Sequence, residues 1–140
     1  VELVGRPHLV DLGARRRVAV TAIALFNGVG AVFGAYNLLH DAESFGVRTS
    51  WLSWPFTDYT VPGLFLGAVI GGGMLATAAL AIVGRPAAAA AALGMGAIEA
   101  TWLVIETVIV GFHGAQQPWL LGVCGASAIA LVALGRRALR

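Results

Sequence analysis

Hydrophobic positions fall into four long blocks, about Val18 to Leu39, Val61 to Val83, Ala87 to Phe112 and Trp119 to Leu134. Polar residues, glycine and proline return between them: a long polar and aromatic stretch from His40 to Thr60, the tight Gly84-Arg85-Pro86 turn, and Gly114 to Pro118. A helix needs roughly 20 apolar residues to cross a bilayer, which the first three blocks meet and the fourth approaches. No two-residue alternation of the barrel kind is visible, and hydrocarbon offers no partner to an unpaired backbone group. The pattern therefore predicts an all-α fold, a four-transmembrane-helix bundle occupying residues 1–140 as one membrane domain. Pro62 suits the first turn of the second helix, with Asp58 or Thr60 as its cap.

Within the blocks, polar and small residues recur at helical steps. Asn27, Gly30, Gly34, Asn37 and Asp41 share one stripe of the first span, beside Tyr36 and His40. Gly30-x-x-x-Gly34 has the small-xxx-small spacing that lets helix backbones approach closely in lipid, and Gly63, Gly67 and Gly71 repeat it in the second span. Packing inside one bundle is the expected use of these glycines, ahead of a contact between copies. In the third span Glu99, Trp102, Glu106 and His113 form another polar stripe. The first and third spans run in the same direction, so the two stripes are expected to face each other inside the bundle.

The composition agrees with a membrane chain: 59% hydrophobic, 11% charged, mean hydropathy +0.85, against about a quarter charged in ordinary soluble domains. All nine basic residues are arginine, and eight of them lie in the N-terminal segment, the Arg85 turn or the C-terminal tail. Only Arg48 falls in the other two connections. Positive residues stay on the cytoplasmic side, so both termini are expected there, in a bacterial inner membrane. His8 and Arg15 to Arg17 then read as anchors at a lipid surface. The opposite loop holds Asp41, Glu43 and Asp58 with Trp51, Trp54 and Tyr59, residues suited to the headgroup belt and to a short interfacial helix. Arg15 to Arg17 followed by Val18 to Phe26 also has the outline of a signal peptide, but no A-x-A-like site follows and hydrophobicity resumes through Leu39.

The pI of 9.3 does not indicate nucleic acid, because the arginines flank apolar runs and alternate with no aromatic platform. One cysteine, Cys124, excludes an intrachain disulfide and a cysteine-based zinc site. No H-x-x-E-H or E-x-x-H spacing is present, so no metal is assigned and no cofactor is identified.

The chemistry rests on Glu99 and Glu106. Ionised carboxylates are costly in hydrocarbon unless paired, neutralised or facing a cavity, so two of them about two turns apart suggest a site that exchanges protons. With Trp102 and Tyr36 offering cation-π surface, the first expectation is binding or translocation of a small lipophilic or cationic molecule, aided by Asn27, Asn37, His40 and His113. In outline the chain is similar to the small multidrug resistance transporters, four-helix proteins with a membrane-embedded glutamate and nearby aromatic residues. That glutamate belongs to their first helix, where this chain has Asn27, so no functional residue carries over. A second expectation is a membrane enzyme using the glutamates as acid and base, which resembles in principle the sterol isomerase type of helical bundle. A third is a non-catalytic subunit or assembly factor, in which the glutamates bond to Asn27, Asn37, Thr101 or a partner helix. Membrane lipid, a homodimer or a larger membrane complex are the partners these readings imply. The stretch PFTDYTVPGL, Pro55 to Leu64, resembles one that recurs in small uncharacterised bacterial four-helix membrane proteins, a likeness that implies layout and no activity.

Overall fold

The computed structural model describes residues 12–113 and 116–140. Arg6, His8, Gly114 and the side chain of Gln116 lie outside the described residues. Four long helices make the fold: α1 (Ala14–Asp41), α2 (Thr60–Ile82), α3 (Ala87–Val110) and α4 (Gln116–Ala138). Each is long and apolar enough to cross a membrane, so the chain is a multi-pass, all-helical membrane protein. α1 and α4 run up to four residues beyond their hydrophobic blocks, because polar residues such as Arg15 to Arg17 and Arg136 continue the helix past the apolar run, whereas α2 stops at Ile82 and α3 at Val110, short of Val83 and Phe112, ahead of the positive-φ glycines Gly84 and Gly111. Arg136 and Arg137 sit in the last turn of α4, where positive charge complements the helix dipole.

Sharp reversals give the helices their up-and-down order. Gly84 adopts φ +67°, which a side chain would resist, and the Arg85 N–H returns to the Leu80 carbonyl at 2.9 Å, closing α2 just before Pro86 opens α3. At the other end Gly111 has φ +75°. There the Gln117 side chain accepts the His113 N–H at 2.7 Å and donates to the Gly111 carbonyl at 2.6 Å, tying α4 to the end of α3.

Small residues decide which helices touch. Gly63, Gly67 and Gly71 of α2 lie against Leu39, Ala35 and Val32 of α1, and Gly28 of α1 lies against Leu75 of α2. Gly34 meets Leu66. The expectation for Gly30 is corrected: it is exposed with nothing near it, and Gly28 takes the packing role because Ala24, Gly28, Ala31 and Ala35 form the small-residue face that α2 covers. Gly73 receives Met95 of α3. Gly96 and Gly135 bring α3 and α4 together so closely that backbone meets backbone. The core of this alanine-rich bundle is filled by Val20, Met74, Thr77 and Leu131.

One end gathers arginine. The Arg16 guanidinium donates to the Arg137 carbonyl at 3.3 Å, and Arg17 lies over the Gly84 turn. The opposite end is covered by the 40–60 connection, which contains a 3-10 turn at Thr49–Trp51. Ser53 donates both its N–H, at 3.1 Å, and its hydroxyl, at 2.7 Å, to the Ile109 carbonyl of α3. Trp51 stacks on His113 with ring centres 4.4 Å apart, and the Tyr59 hydroxyl donates to the Arg48 carbonyl at 2.9 Å. This connection is thus a strap pinned to the C-terminal end of α3. At its close the Asp58 carboxylate accepts the Thr60 N–H at 2.9 Å, and the Thr60 backbone and hydroxyl hold its pKa below the ordinary value.

Candidate functional site

Glu99 is positioned by the α3 face that packs into the bundle with Ala88, Ala92, Met95 and Gly96. It is 3% exposed, and its Oε2 has no hydrogen-bond partner. One turn further on, the Trp102 indole Nε1 is also buried and unpartnered. Its ring stacks on Phe65 of α2, centres 4.6 Å apart. Phe65 opens a π-helical segment, Phe65–Gly71, within α2, an irregularity often found beside functional sites. Glu106 follows two turns beyond Glu99 and is half-buried. Burial, and then the Glu106 carboxyl, push the Tyr59 hydroxyl pKa upward.

Asn27 is a third buried polar group, 5% exposed, with Nδ2 unpartnered. Its helix packs chiefly on α2 and touches α4 at the arginine end, while α3 packs on α4 and α2. The expectation of two directly facing stripes is therefore corrected: α1 and α3 are not principal neighbours. The α1 stripe also divides. Tyr36 is 58% exposed and stacks on exposed His40 at 4.2 Å, outside the bundle. Asn37 spends its amide on the Phe33 carbonyl of its own helix at 2.8 Å. The physical reason is the Gly28 face, whose burial against α2 turns Tyr36 and Asn37 away. His113 belongs to the strap contact with Trp51 rather than to the Glu99 interior.

The site that remains is Glu99, Trp102 and Glu106 on α3, with Phe65 of α2 stacked on Trp102. Phe65 went unrecognised in the sequence because nothing in an apolar run marks one phenylalanine as the partner of Trp102. Chemically, the arrangement offers one unmet acceptor or acid at Glu99, one unmet donor at Trp102 and an aromatic stack. Among the described residues no group of three or more His, Cys, Asp or Glu is placed to hold a metal ion. Comparison with protein families, curated proteins and solved structures gives no match to this chain.

Proposed function

We propose that the protein binds or translocates a small lipophilic or cationic molecule at the Glu99–Glu106 site, exchanging a proton with it, in a bacterial inner membrane with both termini cytoplasmic. The observation that carries the reading is the Glu99 carboxyl, buried in the bundle without a partner for Oε2. A native fold ordinarily satisfies such a group, and an orphan at membrane depth marks a ligand or ion pathway. The arginine end, with Arg16 against Arg137 and Arg17 against the Gly84 turn, supports the sidedness.

Release of a proton leaves a carboxylate that attracts a cation, and reprotonation weakens that attraction, so ligand affinity varies with pH. Glu106→Gln removes one exchanging group and is expected to alter that pH dependence more than Asn27→Ala does. Equilibrium dialysis of a panel of radiolabelled hydrophobic cations, ammonium and phosphonium alike, against protein in nanodiscs across pH measures this. Equal pH profiles for Glu106→Gln and the parent would sink the idea.

A further inference from the structure

Trp102 stands between two different faces of α3. At about 100° per residue, Ala97, Ile98, Thr101 and Ile105 share one side of the helix and Glu99 and Glu106 another, with Trp102 on the border. The first side, completed by Phe65 of α2, lines an open groove of about 300 Å³. Its exposed wall residues Ala97, Ile98, Thr101 and Ile105 face outward, so in a bilayer the groove opens sideways onto hydrocarbon. The route from water is different: the strap lies across the outer end of α3 through Ser53 and Trp51.

We propose that the ligand is a lipophilic primary or secondary amine that enters sideways from the hydrocarbon between α2 and α3, with Trp102 as the movable partition. This rests on the function proposed above and names its substrate class and route. An ammonium N–H supplies the donor that the buried Glu99 Oε2 lacks. The apolar body stays in the groove, whose volume lies at the small end of ligand pockets. The Phe65 and Trp102 ring faces attract the cation as it passes. Trp102 can swing because its Nε1 holds no hydrogen bond, so only stacking and packing resist. The described arginines sit in the end segments, the α2–α3 turn and the strap, so none lies within the spans between their ends to repel an ammonium.

The test compares 4-phenylbutylamine with 4-phenylbutyltrimethylammonium, which has the same body and charge but no N–H. Binding to the parent in nanodiscs is measured by equilibrium dialysis. A variant with Trp51, Trp54 and Trp119 replaced by phenylalanine reports Trp102 fluorescence in lipids brominated along the chain. The amine is expected to bind about tenfold or more tightly than the trimethyl compound, to lose that advantage in Glu99→Gln, and to change bromine quenching of Trp102. Equal binding of the two compounds, or Glu99-dependent binding with quenching unchanged, overturns the amine or the sideways route while leaving a carboxyl binding site standing. If neither compound binds, and the hydrophobic-cation panel also fails, the inference falls together with the function it rests on. Should the triple variant not fold, amine association and release are timed by rapid filtration for the parent and for Trp102→Phe: altered rates are expected, and unaltered rates contradict the partition.

Discussion

Replacing Glu99 by methionine is expected to give a protein that unfolds at a higher temperature than the parent and no longer holds its ligand. A buried polar group without a partner costs about 1–3 kcal/mol by the measure of protein substitutions, and Glu99 Oε2 is such a group at 3% exposure. Methionine has a similar length and an adaptable unbranched side chain, and Met95 already occupies the preceding turn of the same buried face. The fold should therefore gain on the order of 1 kcal/mol, seen as a rise of a few degrees in thermal unfolding followed by fluorescence-detected size exclusion. Stability gained where activity is lost is the mark of a residue kept for function. A lower unfolding temperature would instead show that Glu99 holds the bundle together, as the subunit reading requires.

The largest loss of stability is expected at the α3–α4 contact. A Cβ on Gly96 would lie 2.7 Å from the Ala128 carbonyl oxygen and 3.0 Å from the Val132 nitrogen. On Gly135 it would lie 2.7 Å from both the Ala89 oxygen and the Leu93 nitrogen. These are backbone atoms, which cannot rotate aside, so the two helices must separate along the contact they share. Overpacking of this kind costs about 1–3 kcal/mol, more than the ~1 kcal/mol that alanine gains over glycine within a helix. Gly96→Ala and Gly135→Ala should each lower the unfolding temperature, and the pair together should impair folding. Gly30→Ala, in open space, should be neutral or slightly stabilising. The three variants ranked in one unfolding series check this, and equal behaviour of Gly30→Ala and Gly96→Ala would contradict the packing described.

The four helices were legible because lipid imposes a length and an apolarity that the blocks display directly. Rotation of each helix was less so. Gly63, Gly67 and Gly71 repeat at one-turn spacing and do meet α1, yet Gly30 and Gly28 differ by two residues and only the contact with Leu75 selects between them. That choice turns Tyr36, Asn37 and His40 outward. Glu99 announced itself as a charge in a hydrophobic run, and Trp102 followed by spacing. Phe65 and the strap did not, since both depend on which residues of distant segments meet: Phe65 with Trp102, Ser53 with Ile109. Gly96, Gly135 and Gly73 were equally silent, because nineteen glycines in an apolar chain offer too many equivalent spacings for one to stand out.

Native mass spectrometry of the protein extracted gently from its own membrane tests the central claim most directly, reading the intact assembly and then its dissociated components. The predicted result is a small adduct retained by the parent and lost in Glu99→Gln and Glu106→Gln, its mass identifying the ligand class. A bare chain, an adduct held equally by both variants, or a chain held only by a larger protein partner would contradict a ligand site at the two glutamates.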